Sequence, residues 1–189
     1  MQLSIRRLLV TSVVIMIVFV AAASPARAQD VMTKESVAEL KASFIADLNV
    51  MKDKYIGLAQ AFPQDKYAWR PMDGVRSVSE VLMLAAAEGY GFIPGGFGGK
   101  PGLAPADMKQ LSATTDKAQV IEHLNKAFAH VTSQLAAIDD ATLTGKRTFL
   151  GQQRSAANIA LTIGGDLHEH LGQLIAYARM NHIVPPWSK

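Results

Sequence analysis

The sequence predicts an all-α protein, a four-helix bundle preceded by a signal peptide. Two observations carry that expectation. Four long segments repeat apolar residues at spacings of three and four, the period of one helix face. The segments between them hold most of the prolines and glycines and the Asp-Gly pair, and no run alternates apolar and polar residues as a half-buried strand would. A chain of 189 residues less a leader suits one domain around a single core.

The leader is read at residues 1–28. Arg6 and Arg7 form a positive start, Leu8 to Ala23 is an almost unbroken apolar run, and Ala26-Arg27-Ala28 is a small-x-small cleavage site. The run is short for a membrane span, so the expectation is export to the periplasm or the exterior. The cut would fall after Ala28, the mature domain would be 29–189, and no membrane attachment would remain. The basic balance belongs to this leader. Of 19 Lys and Arg against 16 Asp and Glu, Arg6, Arg7 and Arg27 lie in it, and the mature chain is formally neutral. That argues against nucleic acid as a partner. It would not oppose self-association, and a homodimer is one expectation. The absence of cysteine excludes disulfides, thiolate metal sites, c-type haem attachment and a cysteine nucleophile.

Thr33 is the expected N-cap of the first helix, with Glu35 in its first turn. Val37, Leu40, Phe44, Leu48, Met51, Tyr55, Leu58 and Phe62 form its apolar stripe, and Pro63 ends it. The connector from Pro63 to Arg76 reads as a loop whose Tyr67 and Trp69 cover one end of the bundle. Ser77-Val78-Ser79-Glu80 is a capping box that opens the second helix, which should run to about Phe92. Glu88 lies on the face of Leu84. Most glutamates are solvated, which is the ordinary expectation for this one. Pro94 to Pro101 (PGGFGGKP) reads as a mobile loop with Phe97 at its tip as a lid over a cavity. It lacks the Gly-Lys-Ser/Thr of a nucleotide-binding loop and follows no strand.

The third helix is expected from Asp116 to Ile138 with Thr115 as N-cap. Val120, Ile121, Leu124, Phe128, Val131, Leu135 and Ile138 would be its buried face. His123 and His130 share a polar flank and read as surface histidines. Residues 139–154 form another loop, with a short extended piece at 147–150.

The fourth helix, Ser155 to the Pro185-Pro186 pair, carries the arrangement most suited to chemistry. Ile159, Ile163, Leu167, Leu171, Leu174 and Ala178 make its buried stripe. Asp166 and His170, four residues apart, share one edge with Gln173 and Tyr177. Gly164, Gly165 and Gly172 would allow close contact with a neighbour or room for a ligand. His168 lies about 200° around the helix from His170 by the 100° step and cannot serve the same ion. His182 reads as a surface residue.

WRPMDGVRSVSEVLMLAA and, about eighty residues later, HEHLGQLIAYARMNHIVPPWS resemble the DinB/YfiT-like superfamily, more narrowly its exported members. The resemblance spans essentially the whole mature chain. It implies a four-helix bundle of metalloenzyme type, with thiol-dependent transferases and isomerases among its relatives. The family's metal site takes one histidine from helix two and two from helix four. Carried over, those positions fall at Leu84, Asp166 and His170, so His170 alone keeps the family's residue.

Three readings follow. In one, the bundle is non-catalytic and binds a small apolar ligand or a partner, Leu84 partly fills the former metal pocket, and Asp166 and His170 share a structural hydrogen bond; no cofactor is then required. In another, Glu88, Asp166 and His170 form a rebuilt site for a divalent ion (Zn, Ni, Mn or Fe) in a hydrolase- or transferase-like enzyme. In a third, the Asp166–His170 pair works without metal as an acid/base couple.

Overall fold

A computed structural model describes residues 31–188. The leader, its cleavage site and the start of the mature chain lie outside the described residues. Four long segments make a helical bundle. The first, α1 (Lys34–Ala61), starts at Thr33, whose side chain accepts from the Ser36 N–H. It stops before Pro63, and the sequence-predicted stripe faces inward, with Leu48, Met51, Tyr55 and Leu58 sealed from solvent. The Tyr55 hydroxyl donates to the Leu167 carbonyl oxygen at 2.7 Å, so the one polar group in that stripe is satisfied.

The connector holds a 3-10 turn at Gln64–Lys66. Tyr67 is buried and donates to the Ala59 carbonyl at 2.7 Å. Trp69 meets Tyr177 edge-on, with ring centroids 5.4 Å apart. Together they close one end of the bundle.

α2 (Val78–Ala87) opens with both halves of the capping box formed, Ser77 accepting from the Glu80 N–H and Glu80 accepting from the Ser77 N–H. Ser77→Ala removes the side-chain acceptor of the part-buried Glu80 N–H. We expect a loss of about 1 kcal/mol, read as a melting temperature lower by about 2–4 °C.

The structure departs from the loop expected at Pro94 to Pro101. Glu88–Phe92 is a π turn and α3 (Ile93–Phe97) continues the helix through Pro94. A proline here leaves an upstream carbonyl without its helical donor. The Gly102 N–H takes the Tyr90 carbonyl instead, at 2.7 Å. Phe97 is therefore no lid. It is buried and packs on Phe44 at 5.7 Å between centroids. The glycines that read as loop punctuation serve packing: a Cβ on Gly96 would stand 3.1 Å from Ile159, Ile163 and Phe149. The helix ends at Gly98, whose φ of 85° is the left-handed cap glycine adopts without strain.

A short helix, α4 (Pro105–Leu111), lies against α2. α5 (Lys117–Ala137) is capped by Asp116, one residue later than expected, because the Asp116 carboxylate reaches the Gln119 N–H. His123 and His130 are half-buried rather than surface residues. They flank Tyr90, whose hydroxyl stands 3.3 Å from His123 Nδ1, and His130 Nε2 lies 2.8 Å from the Lys100 carbonyl oxygen. The piece at 147–150 is a two-stranded hairpin, β1 (Arg147–Phe149) and β2 (Gln152–Arg154), paired Thr148 with Gln153.

α6 (Ala156–Met180) is capped by Ser155 and carries the expected stripe, all of it buried. It stops well before Pro185. The Ile183 N–H bonds the Ala178 carbonyl and the His182 N–H bonds the Arg179 carbonyl, with His182 at φ 59°. That is the Schellman turn, in which the returning chain satisfies the last carbonyls; the proline pair only follows it. Gly165 and Gly172 face open space, and Gly164 meets only Phe44, at 3.6 Å. α1 packs mainly on α5 and α6, and α2 on α5 and α6. Among the described residues no helix is long and apolar enough to cross a membrane.

Candidate metal centre

Glu88 sits where α2 gives way to the π turn. Asp166 and His170 project from the facing edge of α6, one turn apart. The structure brings the three together: one ligand-type atom from each lies within 4.8 Å of the others. His170 Nε2 stands 3.8 Å from Glu88 Oε1 and 3.7 Å from Asp166 Oδ1. Donors about 2.1 Å from a shared tetrahedral ion stand about 3.4 Å apart, so the cluster has nearly the required dimensions.

Glu88 is not the solvated carboxylate that its residue type suggested. It is 5% exposed, because the α2 face that carries it is covered by α5 and α6. Its Oε2 is buried and receives no hydrogen bond from any donor among the described residues. Burial first, and then the neighbouring Asp166 carboxylate with a hydrogen bond that needs the proton, push Glu88 up to about 8; Arg76 opposes this. A buried carboxylate oxygen without a partner is costly, and a cation among the three residues would remove that cost. The set of two carboxylates and one imidazole suits Zn, Mn, Fe or Ni. The residues present therefore fit a divalent ion, and three protein ligands leave positions for solvent or substrate.

The 3.7 Å between His170 and Asp166 is too long for the structural hydrogen bond considered from sequence. Leu84, one turn before Glu88, is half-buried and lies on a cleft between α2 and α4 rather than among the three. Gln173 and Tyr177 continue the row but bind the connector. Gln173 Nε2 donates to the Tyr177 hydroxyl at 2.7 Å, and that hydroxyl donates to the Arg76 carbonyl at 3.0 Å. His168 points away and pairs with Asp47 at 3.0 Å on an exposed surface. His182 is exposed, as expected.

Sequence reasoning passed over two neighbours. Tyr55 feels both Glu88 and Asp166; burial foremost, then those charges, hold its hydroxyl well above the usual tyrosine range. A lone tyrosine in an otherwise apolar stripe was the available signal, since its hydroxyl needs a partner. Arg76, just before the capping box, puts a positive charge near Glu88.

The fold and the cluster together define a helical bundle that offers a carboxylate-rich site for a metal ion. The family model of the DinB superfamily matches residues 47–174, more than half of the chain and inclusive of all three cluster residues. The chain belongs to the DinB superfamily. No curated protein and no solved structure matches it at a significant level.

Proposed function

We propose that this DinB-superfamily protein is a divalent-metal-dependent enzyme of hydrolase or transferase type, with Glu88, Asp166 and His170 as the ligands. The supporting observation is the buried Glu88 Oε2, which receives no hydrogen bond among the described residues, beside two further ligand-type groups. When bound, the ion supplies Lewis acidity toward a coordinated oxygen or sulfur. The chain's own residues do the rest. Glu88 would hold the ion as a buried carboxylate, its proton released to solvent. Asp166, with its side chain 42% exposed, marks the open side of the cluster, where solvent and substrate arrive. His170, its side chain largely covered, would contribute an imidazole nitrogen. Tyr55 stays protonated and donates to the backbone of α6 at Leu167, holding the helix that carries two of the three ligands.

Metal content tests this directly. Elemental analysis of protein purified without an affinity tag and exposed to divalent ions should find near one ion per chain, and none in His170→Ala. His168→Ala is the control. That pair is exposed, so its loss should leave metal content unchanged and stability within about 0.5 kcal/mol. Wild-type protein that holds no metal would overturn the proposal and return the reading to a non-catalytic bundle.

A further inference from the structure

Beside the cluster lies a cleft of about 390 Å³, between the end of the connector, α2 and α4. Its apolar wall includes Leu84, Met108 and Leu111, and Arg70, Arg76 and Glu80 are its charged residues. The volume falls at the lower end of small-molecule sites, which combine apolar walls with a few placed polar groups. The charges are unequal in availability. Arg70 is held by Glu80 at 3.2 Å and by the Val75 carbonyl at 3.0 Å, and Glu80 is further held in the capping box. Arg76 has no carboxylate within salt-bridge distance among the described residues, and its side chain is exposed. Its backbone is fixed, because its carbonyl receives the Tyr177 hydroxyl. The lining therefore carries one spare positive charge over an apolar wall.

The cleft and the metal cluster draw on neighbouring residues of one helix, although none of the three cluster residues lines the cleft. Ala87 lines it, and the next residue is Glu88. Leu84, at the position where the family resemblance would put a histidine, contributes its apolar surface to this cleft.

We propose that the cleft seats a small aliphatic carboxylate, its chain on Leu84, Met108 and Leu111 and its carboxylate on Arg76. As a free ligand this molecule needs no metal; as the substrate of the cluster it rests on the metal reading above. A guanidinium binds carboxylate through paired, charge-assisted hydrogen bonds, whereas an alcohol of equal length offers it no charge and an ammonium is repelled.

The test uses the full chain stripped of metal with chelator, so that a carboxylate cannot bind through an ion. Calorimetric titration with hexanoate, 1-hexanol and hexylammonium should show hexanoate binding at least about tenfold more tightly than either of the others. Arg76→Gln should erase that preference. Ser112→Trp, a substitution at an exposed rim position of the cleft, should block hexanoate without unfolding the bundle. The metal content of the wild type, measured separately, distinguishes this proposal from the metal reading: a wild type that takes up no divalent ion yet binds hexanoate would sink only the latter. No measurable hexanoate binding, equal binding of hexanoate and hexanol, or wild-type affinity in Arg76→Gln or Ser112→Trp overturns the proposal.

Discussion

Glu88→Gln is expected to lower metal affinity by more than about a hundredfold, since losing even a residue that only supports a ligand costs 10–100-fold. The substitution keeps the volume of the side chain and removes its ability to become an anion. Its pH signature is as informative as its size. In the metal-free protein Glu88 is held up to about 8, above its ordinary value, so the folded state keeps a proton that the unfolded chain gives up. The stabilisation from that proton is complete below about pH 4.5 and is lost as pH rises through about 8, at no more than about 1.4 kcal/mol per pH unit. The metal-free wild type should therefore melt at lower temperature at pH 8.5 than at pH 6, and Glu88→Gln should flatten that slope. Ion affinity should run the other way, rising over the same window, because the ion and the proton compete for one carboxylate. Titration in buffers of different ionisation enthalpy should find a proton released near neutral pH by the wild type and not by the variant. A pH-independent affinity in the wild type would remove Glu88 from the ligand set.

The second large effect is expected at Gly89. A Cβ there would stand 3.1 Å from the backbone carbon, the oxygen and the Cβ of Ala127. Backbone atoms in the middle of α5 cannot swing aside as a side-chain tip can, so the π turn and α5 would have to separate. Gly89→Val should cost about 3 kcal/mol as an overpacked contact and lower the melting temperature by about 6–12 °C. Because Gly89 follows Glu88 directly, the variant should also lose metal at temperatures where it remains folded. Gly165→Ala, which meets nothing within 4 Å, should be neutral or slightly stabilising through helix propensity. A Gly89→Val variant as stable as the wild type would mean that the two helices do not approach as closely as described.

Most of the architecture was legible because it rests on periodicity and caps. The stripes of α1, α5 and α6 and the box at Ser77 are local signals, and each appears where the sequence placed it. The shift of the third cap from Thr115 to Asp116 is a choice between adjacent residues that both have capping side chains. The helix from Pro94 to Gly98, and the π winding of Glu88–Phe92 before it, were not legible. Pro94 and the glycines around it carry turn chemistry in isolation, and only the packing of Gly96 on Ile159 and Ile163 and of Phe97 on Phe44 makes helix the better state. The end of α6 was misplaced for a related reason, since a Schellman turn with histidine at the left-handed position has a weaker signature than a proline pair. As to the site, Asp166 and His170 could be read from their spacing. The burial of Glu88 could not, because it depends on how α2 lies against α5 and α6.

The π turn has a rotational consequence. Five residues occupy a stretch in which the helix advances as though one had been squeezed out of the winding, so the faces of α2 and α3 are out of phase by about one 100° step. One continuous helix can thus present Glu88 to the edge of α6 and, two turns later, press Phe97 onto α1, directions that regular winding would not align. The two ends of this helix are geared independently. A lineage that lost one residue between Glu88 and Phe92 would have to give up either the carboxylate or the aromatic contact.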